Sequence, residues 1–382
     1  MTKYEHGGNR FHNHARYDFS ANINPLGLPG GVEEILTENI RYFTEYPDVD
    51  NSQLTDRIAR RYHVDSECIV CGNGAVELIY KAIGTKHPER TLLAQPCFSE
   101  YEKALLENRC RVKYYHRSEK KAFQIDEDYL DAMDEVDMII LCEPNNPTGN
   151  LTKPELLGKI LRKAEKRHIS VILDECFLDF VSEQTYEKYE TEWIECMRPE
   201  GDNCRKDLFH RSGEDREKIG RLLGVDDFFS ENILVIKAFT KIYAMAGLRL
   251  GYALSRNKEW IRRLREWGPC WNVSVPAQLA GVVAIKDDRY IADTRQYIKN
   301  EREYLVRELE YAGYKVFESA ANFILVYEEQ QGQENMKEVL AKTGIMIRDC
   351  SNFEGLKDGY YRIAVRTHEE NKRLVEALGK RD

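Results

Sequence analysis

Three short apolar runs set the frame for this 382-residue chain. They are "MIILCEP" (138–144), "ISVILDE" (169–175) and "NILVIKAF" (232–239), and each ends in a polar or glycine-bearing loop. Runs of this length and composition read as buried strands. Between the first two lies "TKPELLGKILRKAEKRH" (152–168), with helical periodicity and Thr152 as its expected cap. Strands alternating with helices predict an α/β protein with a mostly parallel sheet. Ligand sites in such sheets lie outside the carboxyl ends of the strands. The residues just past those ends are therefore the ones to inspect for chemistry.

The chain is long enough for one large domain and a smaller one. The stretch from about 290 to 312 reads as a long helix joining them, and the C-terminal part alternates like a small α+β lobe. The expected division is an N-terminal arm and part of the small domain over 1–40, a large domain over 41–285, and a small domain over 286–382. Residues 181–231 are highly charged, without a strong strand, and read as an inserted excursion. Cys196, Cys204 and His210 fall there, where a solvated surface segment is expected over a metal site. No metal site is expected elsewhere either.

Apolar residues make up 42% and charged residues 32%, as in soluble globular proteins. No apolar stretch approaches a membrane span, and "MTKYEHGGNR" lacks a signal-peptide core, so a cytoplasmic protein is expected. A net charge of −9 argues against nonspecific nucleic-acid binding. An anionic substrate must then be drawn by local arginines. The ten cysteines are scattered and read as reduced thiols. Cys68 and Cys71 form a C-x-x-C, but "ECIVCGNG" looks like a short strand entering a glycine turn, with no second pair.

Past the strand ends come Asn145-Asn146-Pro147-Thr148-Gly149, then Asp174-Glu175, then Thr240-Lys241, with Arg249 eight positions on. Upstream, "VCGNGAVELI" (70–79) is a glycine turn opening a helix. Each has a plain structural explanation: turn formers, an ion-paired aspartate, a connecting glycine. Together they make a more specific set. A lysine can form an imine with an aldehyde, an aspartate can hold a pyridinium proton, an asparagine can donate to a phenolate oxygen, and a helix N-terminus with an arginine can bind phosphate. Those are the groups a pyridoxal phosphate site needs.

"EPNNPTG", "LDECFLDF" and "FTKIYAMAGLRLGY" resemble signatures of fold-type I pyridoxal phosphate enzymes, the class I/II aminotransferase superfamily. The resemblance runs from residue 6 to about 375. It implies a large domain with a mostly parallel central sheet flanked by helices, plus a smaller α+β domain. By position it implies Lys241 as the Schiff-base lysine, Arg249 as the cofactor-phosphate arginine, Asp174 as the partner of the pyridine nitrogen and Asn146 as the donor to the ring oxygen. Gly74 and Ala75 match the phosphate-binding backbone, with Thr240 beside Lys241. Phe98 matches the aromatic stacked on the ring, with Tyr101 as second candidate. Tyr46 resembles the tyrosine that reaches a neighbouring subunit's cofactor, which implies a homodimer. Ala238 and Val76 stand where hydroxyl side chains are common, so weaker phosphate binding is expected.

"HGGN" (6–9), "DFSANINPLG" (18–27), "IRDCSNFEGL" (347–356) and "YRIAVRT" (361–367), with Phe177, resemble the threonine-phosphate decarboxylases, and next the histidinol-phosphate aminotransferases. The first resemblance implies decarboxylation of a phosphorylated amino acid to aminopropanol phosphate during cobalamin assembly. Arg348 and Arg362 can clamp a carboxylate and a phosphate. His6 and Asn22 can close the site from the N-terminal arm, although an arginine on a strand is ordinarily a surface residue and a histidine near a terminus ordinarily unordered. An aminotransferase, a serine-phosphate decarboxylase and a non-catalytic cofactor-binding regulator are the rival readings. Decarboxylation and amino transfer share one constellation and differ in substrate orientation.

Overall fold

The computed structural model describes residues 6–9, 15–189, 230–329 and 334–379. A seven-stranded sheet forms from β1 (Ile69–Gly72), β2 (Arg90–Gln95), β3 (Arg111–His116), β4 (Met138–Cys142), β5 (Ser170–Asp174), β6 (Ile233–Ala238) and β7 (Gly251–Leu254), in the order β1-β7-β6-β5-β4-β2-β3. Only β7 runs against its neighbours. The predicted α/β class with a mostly parallel sheet is therefore what the chain adopts. Alternate residues feed opposite faces. Ile139, Leu141, Val171, Leu173 and Val235 enter one core cluster, while Ile140, Ile172, Leu234 and Ile236 enter the other. Burial on both faces explains why these strands read as continuous apolar runs.

The connecting helices include α1 (Gly74–Lys86), α2 (Ser99–Glu107) and α3 (Pro154–Lys166). Helix α3 buries Leu156, Leu157, Ile160, Leu161 and Ala164, a stripe at three- and four-residue spacing. It starts later than its periodicity suggests. Pro154 occupies the first turn, where its fixed φ and missing N–H are tolerated. Thr152 does not cap the helix: its backbone N–H and hydroxyl both donate to the buried Glu143 carboxylate. The long helix α4 (Asp288–Tyr311) is capped by Asp287, which accepts from Tyr290 N at 3.0 Å.

A second, antiparallel sheet comprises β8 (Lys315–Val316), β9 (Phe323–Tyr327), β10 (Arg348–Asp349) and β11 (Tyr360–Ala364), in the order β10-β11-β9-β8. The N-terminal segment ties onto it. Tyr17–Asp18 pairs with Ile345–Met346, and Ala364 N donates to Phe19 O at 2.9 Å. Most of the charged excursion, residues 190–229 with Cys196, Cys204 and His210, lies outside the described residues. "ECIVCGNG" does form strand β1 leading into α1, and Cys71 packs its sulfur 3.9 Å from Thr55 Oγ1. Among the described residues no helix is long and apolar enough to cross a membrane.

One buried cluster was invisible in the sequence. Lys237, inside β6, is 4% exposed and lies 3.4 Å from Glu175 and 3.3 Å from Asp179. Burial opposes its charge, but the neighbours, Asp179 foremost and Glu175 among them, outweigh it and hold Nζ protonated well above the ordinary range. Removing one partner of a buried pair costs about 3–5 kcal/mol, because the other charge remains. Lys237→Ala is therefore expected to lower stability by about that amount in urea unfolding. A loss below about 1 kcal/mol would mean that the cluster is not tightly coupled.

Candidate active site

The carboxyl ends of β4, β5 and β6 meet the second sheet around a cavity of about 230 Å³. Its lining holds Lys241, Asp174, Asn146, Thr240, Arg249, Ala75, Phe98, Tyr101, Arg348, Arg362, His6 and Asn22. Residues separated by more than 350 positions in sequence are thus brought together. Gly74 lies under the Arg249 guanidinium at the cavity's edge. Tyr46 is elsewhere: it is 79% exposed and stacks on Trp271 at 4.5 Å.

The register of the central strands places the first groups. Cys142, Asp174 and Ile236 lie side by side at the ends of β4, β5 and β6. Asp174 is buried, and both its oxygens are engaged: Oδ2 accepts from Tyr101 Oη at 2.6 Å and Oδ1 from Cys176 N at 3.0 Å. Lys241 sits on a single helical turn, Phe239–Ile242, directly after β6. The N-terminal segment grips that turn. Asn24 N donates to Lys241 O, and Asn24 Nδ2 donates to Ile242 O at 2.7 Å. Burial, then the Arg362 and Arg249 guanidinium groups, push Lys241 Nζ down to about 8. The neutral fraction of this amine near physiological pH is therefore a minority, but far larger than that of an ordinary lysine.

The other side of the cavity is built at the N-terminus of α1. Gly74 has φ +80°, and a Cβ there would stand 2.7 Å from Arg249 Nη2. Arg249 itself has φ +60°, a region that non-glycine residues seldom occupy. Strain of this kind persists where surrounding structure fixes it, often at ligand sites. The result is a guanidinium lying beside Gly74, the first residue of a 13-residue helix, an arrangement suited to phosphate. Ala238 and Val76 line the cavity as well, so the two missing hydroxyls do face it.

The second sheet supplies paired cations. Arg348 and Arg362 are direct cross-strand partners. Arg362 donates to Asn146 Oδ1 and, at 2.9 Å, to Ser20 O, while its buried Nε has no hydrogen-bond partner. Burial and the adjacent Arg348 pull its guanidinium down to about 10, still charged at neutral pH. Arg348 Nη2 donates to Asn352 Oδ1 at 2.8 Å. Like charges opposite one another on neighbouring strands are unfavourable without an anion between them. Asn22 Oδ1 is also buried without a partner. In a chain of net charge −9, the cavity gathers one lysine and three arginines around a single aspartate.

His6 is held in place. Its Nε2 lies 2.8 Å from Glu100 Oε1, and its ring is 5.5 Å from Phe98. Gly7 allows the close approach, since a Cβ there would strike Ser20 O. Phe98 and Tyr101 meet edge to face at 5.6 Å. Sequence reasoning missed Glu100, the Tyr101–Asp174 bond and the thiols of Cys142 and Cys176. None carries a local signal, because each contact joins distant segments.

Residues 17–378 match the model of the aminotransferase class I and II family. The chain belongs to that family. It is 32% identical to the threonine-phosphate decarboxylase of Salmonella typhimurium (strain LT2), over 94% of this chain and 90% of that protein. It is also 32% identical to an adenosylcobalamin biosynthesis bifunctional protein of Leptospira interrogans, over 99% of this chain and 41% of the other. Among solved structures, the histidinol-phosphate aminotransferase of Clostridium acetobutylicum is similar with a TM-score of 0.77. The two are 30% identical, with 95% of this chain and 98% of that one covered.

Proposed function

We propose that this protein is a pyridoxal-phosphate-dependent decarboxylase that converts L-threonine O-3-phosphate to aminopropanol phosphate and carbon dioxide. The observation that carries the reading is the cross-strand pair Arg348–Arg362 facing the same cavity as Lys241. Two adjacent guanidinium groups suit a substrate that bears both a carboxylate and a phosphate. The near full-length similarity to a threonine-phosphate decarboxylase supports the same choice, and the similarity to an adenosylcobalamin biosynthesis protein supports a place in cobalamin assembly.

The residues present fit the cofactor. Arg249 and the N–H groups of Gly74 and Ala75 form a phosphate cradle that a Cβ at residue 74 would fill, and Thr240 adds a hydroxyl. Asp174 would keep a proton at the ring nitrogen. Asn146, whose Oδ1 is taken by Arg362, retains its amide N–H groups to donate to the ring oxygen. Phe98 lines the cavity as the ring-facing aromatic. When bound, the cofactor supplies an aldehyde that condenses with amines and a ring that withdraws electrons from the amine-bearing carbon.

This chain's own residues then orient and protonate. Arg348 and Arg362 bind the substrate's anionic groups, so that the carboxylate leaves from a fixed position. His6 and Asn22 close the N-terminal side. Lys241 Nζ, poised near 8, can bond the aldehyde and can later deliver a proton to the substrate's Cα. The protein acts as a homodimer in the cytoplasm, with Tyr46 reaching the cofactor phosphate of a second copy. The exposed Tyr42, Phe43, Tyr46 and Trp271 support such a contact.

The test incubates cofactor-loaded protein with L-threonine phosphate, L-serine phosphate, or histidinol phosphate plus 2-oxoglutarate. Carbon dioxide and a phosphorylated amino alcohol from threonine phosphate are expected. Preference for serine phosphate would keep the chemistry and change the product. Amino transfer to 2-oxoglutarate without carbon dioxide release would replace decarboxylation by transamination.

The cradle gives a second expectation. Gly74→Ala places a methyl against Arg249 Nη2 in a backbone region costing roughly 1–2 kcal/mol for a side-chain-bearing residue. Arg249 must swing away, and a charge-assisted hydrogen bond is worth about 1.5–3 kcal/mol. Cofactor affinity, read by titrating the apo-protein, should fall at least about tenfold. Unchanged affinity would place the phosphate elsewhere.

A further inference from the structure

We infer that Tyr101 is a positioning residue for Asp174, aiming one of its carboxylate lone pairs at the cofactor's ring nitrogen rather than stacking on the ring. The inference rests on the pyridoxal phosphate reading above. Tyr101 is 1% exposed, on the first turn of α2, and its hydroxyl donates to Asp174 Oδ2 at 2.6 Å. That is a short, charge-assisted bond between fully buried groups. Its ring meets Phe98 edge-on, which leaves Phe98 as the aromatic available to the ring face.

The direction of the bond is fixed. Burial, then the neighbouring Asp174, holds the Tyr101 hydroxyl protonated far above the ordinary tyrosine range, so it can only donate to the carboxylate. The other ionisable groups facing Asp174 come from three further elements. Cys142 ends β4, Cys176 follows β5, and Lys241 follows β6. Burial keeps both thiols neutral, and Cys176 contributes its backbone N–H to Oδ1. With Oδ2 tied to α2 and Oδ1 tied to its own loop, the carboxylate plane is fixed from two sides. A carboxylate offers about four acceptor sites; these two bonds and the Cys176 thiol, which also reaches Asp174, leave about one for the cofactor. Unlike an aspartate held only by its own loop, this one cannot rotate without breaking a buried bond.

Tyr101→Phe keeps the ring and removes only the bond. The apo-forms of wild type and variant are titrated with pyridoxal phosphate and with its 1-deaza analogue, in which carbon replaces the ring nitrogen. Binding is followed by absorbance and protein fluorescence. The variant is expected to bind pyridoxal phosphate about tenfold more weakly than wild type, the scale of one hydrogen bond to a charged group. It is expected to bind the deaza analogue no more weakly than wild type does, because that analogue offers Asp174 nothing to hold. An equal loss for both ligands would show that Tyr101 only shapes the cavity, and no loss for either would remove it from the site. Failure of the wild-type protein to bind pyridoxal phosphate would instead overturn the cofactor reading beneath it.

Discussion

Lys241→Ala protein, supplied with pyridoxal phosphate, is expected to release carbon dioxide from L-threonine phosphate at least about 10³-fold more slowly than the parent. A positioned proton donor alone contributes roughly 10²–10⁴-fold, and this lysine is also the group that would bond the aldehyde. The neighbouring Arg249, Arg348 and Arg362 cannot substitute for the amine, since a guanidinium does not act as a neutral nucleophile. Lys241→Arg should be equally inactive for that reason. The same amine sets a pH signature in the parent protein. Burial and two guanidinium groups lower it to about 8, so the neutral, nucleophilic form is scarce below that pH and dominant above it. The rate at which apo-protein takes up the cofactor, followed by absorbance, should rise with pH through about 8 and then level off. A midpoint near 10 would mean an unperturbed lysine. Substantial carbon dioxide release by Lys241→Ala would remove this residue from the chemistry.

The parts of this architecture that the sequence displayed are those whose cause is local. Continuous apolar runs became β4, β5 and β6 because both faces of a central parallel strand are buried. Asp174, Lys241 and Asn146 stood out because they interrupt the ends of such runs, where an open sheet presents its ligands. What stayed hidden depends on pairing at a distance. Lys237 looks like one polar residue in an apolar strand; its carboxylates lie 62 positions away at Glu175 and on the following turn at Asp179. Arg348 and Arg362 were legible singly, but their opposition across two strands is a matter of register. Glu100 reads as one acid on an amphipathic helix until the arm lays His6 against it, 94 positions away. Thr152 has the pattern of a helix cap, but its donors go to buried Glu143, nine residues earlier and before the turn that joins them. Local propensity cannot reveal a contact made by the returning chain.

That register pairing underlies the second large effect. Arg362→Met should reduce kcat/KM for L-threonine phosphate by roughly 100-fold or more, since hydrogen bonds to charged groups are worth about 1.5–3 kcal/mol each and a guanidinium can make two. Arg362→Lys should recover only part of the loss, because an ammonium keeps the charge without the fork. Arg362 also donates to Asn146 and to Ser20 O, so a general loss of structure must be separated from a loss of anion binding. Inorganic phosphate provides the separation. The unliganded parent holds Arg348 and Arg362 opposite one another, an arrangement an anion relieves. Phosphate at about 100 times its Kd should stabilise the cofactor-loaded parent, whose cradle at Arg249 is already filled, by about 2.7 kcal/mol, seen as a rise in Tm. In Arg362→Met that rise should be largely lost even where the starting Tm is close to the parent's. A phosphate-induced rise of parental size in Arg362→Met, together with parental kcat/KM, would mean that the substrate's anions are held elsewhere. A parental rise in Tm with a collapsed kcat/KM would keep Arg362 in the site but move its role from binding a phosphate to orienting Asn146.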